Sequence, residues 1–130
     1  MANEPLRGCP VCGTKVKDIN IGLRDFRWVA DALPGRVAPM DLDCVLERRG
    51  HVLIIELKPG GAPLPLGQRL TLKNFARMPD IDVWVVWEQA DGKVEAGVLD
   101  RNGNVVFVES MTVRALNLRV TKWFEEASND

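Results

Sequence analysis

The stretch from Asp41 to Lys58, Asp-Leu-Asp-Cys-Val-Leu-Glu-Arg-Arg-Gly-His-Val-Leu-Ile-Ile-Glu-Leu-Lys, constrains the fold more than any other part of the chain. Two β-prone runs meet at Arg49-Gly50. The second is apolar on both faces until Glu56 and Lys58 break it. A two-residue turn pairs Arg48 with His51, Glu47 with Val52 and Asp43 with Glu56, and sets Asp41 across from Lys58. Residues directly opposite share a face, with Cβ atoms about 5 Å apart. This register therefore gathers Asp41, Asp43, Glu56 and Lys58 into one patch. A three-residue turn with a bulge would instead oppose Leu42 to Glu56 and scatter them. Arg is a poor occupant of a left-handed turn position, so the turn residues alone leave both registers open.

The patch has a definite chemistry. Mg²⁺ or Mn²⁺ takes oxygen ligands, and Mg²⁺ is commonly held by one or two carboxylates together with water and phosphate. Asp43 and Glu56 supply two carboxylates, and the Leu57 backbone carbonyl is a further candidate ligand. Such an ion acidifies a bound water and offsets charge on a scissile phosphate. Lys58 would orient that water or stabilise the charge developing at phosphorus. Asp41 has a supporting place, as ligand to a second ion or to water, or as the partner of Lys58. The bland reading is a set of charges at the exposed end of a hairpin. Asp is disfavoured within strands, which argues against that reading, although a frayed strand start would accommodate it.

The remaining chain reads as a scaffold. Residues 22–33 have helical spacing at Leu23, Phe26, Val29, Ala30 and Leu33, ended by Pro34-Gly35. Asp25 falls on another face. The Gly/Pro run 59–65 predicts a loop. A helix over residues 66–78 carries Gln68, with Arg69, Lys73 and Arg77 as candidate nucleic-acid contacts. Strands are expected over residues 82–89, 94–100 and 105–109, with turns at Asp91-Gly92 and Asn102-Gly103. A last helix over residues 112–127 has the stripe Val113, Leu116, Val120, Phe124 and Ala127. Trp84, Trp87 and Trp123 read as packing residues rather than base-stacking platforms.

Near the start, Gly-Cys9-Pro-Val-Cys12-Gly resembles one knuckle of a zinc ribbon, which offers two of the four ligands a closed zinc site wants. Cys44 and His51 are the only other soft ligands. Cys44 alternates to the face opposite Asp43 and is expected in the core. A structural Zn²⁺ shared between two copies, a relic and a plain reduced turn all stay open.

Asp43, Glu56-x-Lys58 and Gln68 together, with thirteen positions from the first acid to the Glu and a Gly/Pro loop before the Gln helix, resemble the PD-(D/E)XK nuclease superfamily. The similarity is to its small phage-type and VRR-NUC-like members, and it spans residues 22–90. It implies an α/β fold with a mixed α+β sheet, a restriction-endonuclease-like αβββαβ core, here with an added C-terminal β-meander and helix. It implies that Asp43 and Glu56 bind the metal, that Lys58 is the catalytic lysine and that Gln68 positions the site; some members carry a further acid on the first helix, for which Asp25 is the candidate. The chain departs from the pattern at Met40, where many members carry Pro or Gly, and in its Cys knuckle.

At 130 residues the chain is long enough for one cored domain. We expect an N-terminal segment at residues 1–21 and a nuclease-like domain at residues 22–130. Residues 1–79 carry 12 Lys/Arg against 8 Asp/Glu, and residues 80–130 carry 5 against 10. The first part tolerates a polyanionic partner. No apolar run reaches the ~20 residues of a membrane helix, and no signal-peptide core is present. Three cysteines, an odd number, predict a reducing cytoplasm. The function expected is a Mg²⁺-dependent DNA endonuclease, a phosphodiester hydrolase acting on branched, Holliday-junction-like or duplex DNA. It would work as a homodimer in the cytoplasm, for instance as a phage-encoded protein in a bacterial host. The alternative is a catalytically inactive nucleic-acid-binding or zinc-knuckle interaction module on the same fold.

Overall fold

A computed structural model describes residues 6–8, 15–17, 27–35 and 37–129. The chain divides into two compact units, Met1–Met40 and Asp41–Asp130. In the first unit, β1 (Leu6–Gly8) and β2 (Lys15–Lys17) pair antiparallel, with Arg7 opposite Val16. The same unit holds a short helix, α1 (Arg27–Asp31). Its last turn tightens through Ala32 N–H to Val29 O and Leu33 N–H to Ala30 O, before Gly35 at φ 62° turns the chain away. The helix expected over residues 22–33 is thus observed in its described part and ends two residues early.

The second unit contains β3 (Cys44–Arg48), β4 (His51–Pro59), α2 (Leu66–Ala76), β5 (Ile81–Glu88), β6 (Val94–Leu99), β7 (Val105–Met111) and α3 (Val113–Ser128). The described residues form a mixed α+β structure with three helices and one five-stranded mixed sheet in the order β3-β4-β5-β6-β7. Only β4 and β5 run parallel, joined through α2; the other neighbours are antiparallel. A parallel pair cannot be closed by a tight turn, so a helical crossover between β4 and β5 is the expected solution.

The turn at Arg49-Gly50 is the two-residue form, with Arg48 opposite His51 and Cys44 opposite Ile55. Arg49 adopts φ 53° and Gly50 φ 87°, both positive as the primed hairpin turn requires. The ends of the hairpin are tied where Glu47 accepts from the Gly50 amide (2.7 Å) and Arg49 Nη1 donates to the Ser128 carbonyl (2.8 Å).

The doubly apolar β4 is explained by helices on both of its faces. Leu53 and Ile55 pack with Trp84 of β5 and with Trp123 and Ala127 of α3. Ile54 and Glu56 alternate to the other face, where α2 packs on β5 and β6 through its buried Leu72. The stripe expected on α3 is corrected. Leu116, Val120 and Ala127 face inward to differing degrees, but Val113 and Phe124 are exposed and Trp123 is buried. The indole N–H of Trp123 donates to Asp82 Oδ2 at 2.9 Å, which satisfies the polar edge of a buried ring. Phe124 instead lies under the Arg48 guanidinium, 4.8 Å from its ring centre. Thr112 caps α3 by accepting from the Ala115 amide. Helix α2 stops at Ala76, two residues short of expectation: the Arg77 N–H still reaches the Lys73 carbonyl, but the Met78 N–H turns back to Phe75 in a tighter turn ahead of Pro79. No described helix is long and apolar enough to cross a membrane.

Candidate active site

Three elements meet at Glu56. It sits near the end of β4 and is 2 % exposed, the one buried charged residue among those described. A carboxylate is costly to bury unless it is paired and hydrogen-bonded. Gln68, in the first turn of α2, donates Nε2 to Glu56 Oε1. Lys58, two residues further along β4 and on the same face, places Nζ 3.6 Å from that oxygen. Asp43 approaches from the start of β3, where its Oδ2 accepts from the Leu57 amide at 2.8 Å. The ladder between β3 and β4 stops at Cys44 and Ile55, and extending its count puts Asp43 opposite Glu56. Beyond the last backbone pair, the Asp43 side chain takes over the pairing of the Leu57 amide.

The electrostatics are unbalanced. Burial, then the neighbouring Asp43 charge, push the Glu56 carboxyl above its ordinary value, against the opposing pull of Gln68 and Lys58. As carboxylates, Asp43 and Glu56 can only accept hydrogen bonds, so neither donates to the other. Accordingly, Glu56 Oε2 is buried with no hydrogen-bond partner, and Gln68 Oε1 is in the same condition. Both orphans are acceptors. What the site lacks is a donor or a cation.

The residues expected at the site separate clearly. Asp43, Glu56, Lys58 and Gln68 converge in one place. Asp41 is exposed, and the ion pair of Lys58 is made with Glu56. Leu57 contributes its amide to Asp43. Arg69 is engaged elsewhere: Nε donates to the Gly103 carbonyl at 2.6 Å and Nη2 to Asn104 Oδ1 at 3.3 Å. The Lys73 stem lies against Gly103, and Arg77 is exposed at the end of α2. Cys44 is a half-buried free thiol. Cys9, Cys12 and Asp25 lie outside the described residues.

Among the described residues no group of three or more His, Cys, Asp or Glu side chains forms a metal cage. Mg²⁺ does not require one, since it keeps several waters and takes only one or two carboxylates. The pair Asp43 and Glu56, with its orphaned oxygen, fits that demand. Access exists on the β3 side, because Val45, on the same face as Asp43, is 50 % exposed. Comparisons of the chain with protein-family models, with curated proteins and with solved structures return no match.

Proposed function

We propose that the chain is a metal-dependent nuclease that hydrolyses DNA phosphodiester bonds at Asp43, Glu56, Lys58 and Gln68. The observation that carries this reading is the surplus of buried acceptors, Glu56 Oε2 and Gln68 Oε1, next to a second carboxylate and a lysine. A structural ion pair would be expected to close its own hydrogen bonds. This site leaves one coordination direction short of positive charge.

Asp43 and Glu56 would hold Mg²⁺ or Mn²⁺, which when bound acidifies water and offsets phosphate charge. Lys58 would hold the attacking water or a phosphate oxygen, at the cost of loosening its contact with Glu56. Gln68 holds Glu56 Oε1 and would leave Oε2 available to the ion. The PD-(D/E)XK assignment draws further support from element order, since the hairpin β3-β4, then α2, then parallel β5 corresponds to the last four elements of an αβββαβ core. The first strand of that core has no counterpart in residues 37–43. A homodimer would bring two such sites together for paired cuts in duplex or branched DNA.

The test is incubation with supercoiled plasmid, linear duplex and a four-way junction, in Mg²⁺, Mn²⁺ or EDTA. Cleavage should need the divalent ion and fall about 100-fold or more in Glu56→Ala and Lys58→Ala. Cleavage at the wild-type rate in either variant would overturn this mechanism. DNA binding with no cleavage under any ion would assign the chain to the inactive binding class instead.

A further inference from the structure

A second recess lies on the same sheet face as the carboxylate pair. Lys58 is in register with Trp87, and Trp87 with Glu95, so the three form one row across β4, β5 and β6. Gly61, Ala62, Trp87, Glu95 and Val108 line a recess of about 320 Å³ beside that row. This is at the lower end of the roughly 300–1,000 Å³ typical of small-molecule sites. The Trp87 indole N–H donates to the Ala62 carbonyl at 2.7 Å and holds the ring as one wall. Val108 reaches the recess through an irregularity in β7. Between the pairs Val98–Val106 and Ala96–Glu109 the strand carries one extra residue, which moves Val108 onto the face of Gly97. Next to it, Phe107 sits at φ 55° and is 82 % exposed, a costly conformation for an aromatic residue. Bulges are enriched at sheet edges, where β7 lies, and next to active sites, and in both places they can re-aim a side chain.

We propose that this recess holds one unpaired nucleobase bearing a 4- or 6-amino group, cytosine or adenine, next to the phosphate bound at Asp43, Glu56 and Lys58. The inference rests on the nuclease reading and adds a substrate preference to it. Trp87 and Val108 supply the apolar walls that a flat ring needs, and a ring reaches them only out of the duplex stack. Glu95 supplies the selection. An ionised carboxylate repels phosphate and accepts hydrogen bonds only, so it favours a base edge that donates. The 4-amino group of cytosine or the 6-amino group of adenine donates, whereas thymine presents the O4 acceptor and guanine the O6 acceptor at the same place.

The test uses single-stranded oligo-dT carrying one dC, one dA or no substitution, cleaved in Mg²⁺, together with titration of dCMP and dTMP followed at the Trp87 indole N–H by NMR. In the wild type, cleavage should concentrate about tenfold at the phosphate flanking dC or dA, the worth of one hydrogen bond to a charged acceptor. Glu95→Gln, whose amide both donates and accepts, should flatten that preference. Val108→Trp, which fills the recess, should flatten it too. The Trp87 signal should move with dCMP and not with dTMP. Even cleavage along wild-type strands, or a preference that persists in Glu95→Gln, overturns the recess and leaves the nuclease standing. A dCMP-specific shift without cleavage of any strand supports the recess and sinks the nuclease reading. Absence of a dCMP-specific shift overturns the recess whatever the cleavage assay shows.

Discussion

Lys58 Nζ stands 3.6 Å from Glu56 Oε1, while Oε2 of the same buried carboxylate has no hydrogen-bond partner. One oxygen therefore carries both the lysine and the Gln68 amide, while the neighbouring Asp43 charge adds to the surplus of negative charge at the site. A lysine alone does not balance two carboxylates. The stability and the chemistry of this site should therefore respond separately to protons, to divalent ions and to the loss of Lys58.

Protons come first. Burial and Asp43 raise the Glu56 carboxyl above 4.5, and Lys58 and Gln68 only partly oppose this. Between the unfolded and folded values, the native state keeps a proton that the unfolded chain has released. Stability from this group is thus full below 4.5 and is lost as pH rises through the folded value. Glu56→Gln abolishes the titration and should melt higher than wild type at neutral pH in EDTA, with the difference fading in acid. Thermal melts across that range check it. A variant that melts lower at neutral pH would show that the carboxylate is not held at a cost.

Divalent ions should reverse that penalty. Mg²⁺ at ten times its dissociation constant stabilises a one-site protein by about 1.4 kcal/mol, a rise of a few degrees in melting temperature for a domain of this size. Wild type should show the rise, and Asp43→Asn and Glu56→Gln should lose it. Isothermal calorimetry with Mg²⁺ and Mn²⁺ gives the same answer directly. An unchanged rise in both variants would place the ion elsewhere.

Lys58→Met separates chemistry from metal binding. The aliphatic stem is kept and the charge removed, so the ion-dependent rise in melting temperature should persist. Cleavage should fall about 100-fold or more, the scale for one positioned electrostatic group lost from a transition state. The readout is single-turnover cleavage at saturating Mg²⁺. Loss of the thermal rise as well would make Lys58 a structural support for Glu56.

Much of this site was legible because strand geometry leaves few choices. Once the turn is two residues long, alternation and register bring Asp43 to Glu56 and send Cys44 to the other face. The Arg49 φ of 53° shows why the turn residues could not decide the matter, since packing and the Ser128 contact hold a residue there that local preference disfavours. Other features depend on contacts that no local pattern carries. Trp123 and Phe124 are adjacent, and the partner Asp82, 41 positions from Trp123, favours burial of the former. The β7 irregularity falls at Phe107, with no glycine to mark it.

Gly97 is a packing position that periodicity also does not reveal. A Cβ built there would meet Val105 Cγ1 at 2.5 Å, Val108 Cγ2 at 3.0 Å and the Val106 carbonyl at 3.1 Å. The valine methyls have partial freedom, but the carbonyl belongs to the sheet backbone. Gly97→Ala should cost about 1–3 kcal/mol, the range for overpacking a close-packed interior. Urea denaturation checks this. Because Val108 also borders the recess, base preference should weaken in the same variant.

Arg69 and Arg77 provide the last separation. Both lie on the basic side of α2 in the sequence, and both were expected to meet DNA. Arg69 instead bridges 34 residues to the Gly103 carbonyl and reaches Asn104, tying α2 to the β6–β7 turn, while Arg77 is exposed. Arg69→Ala should cost about 1–2 kcal/mol of stability, the worth of a hydrogen bond from a charged donor. Arg77→Ala should leave stability within about 0.5 kcal/mol and weaken DNA binding, lowering the slope of log affinity against log salt by about one contact. Denaturation and salt-dependent binding, run on both variants, distinguish the two roles. Equal salt slopes in wild type and Arg77→Ala would remove Arg77 from the DNA-contacting surface.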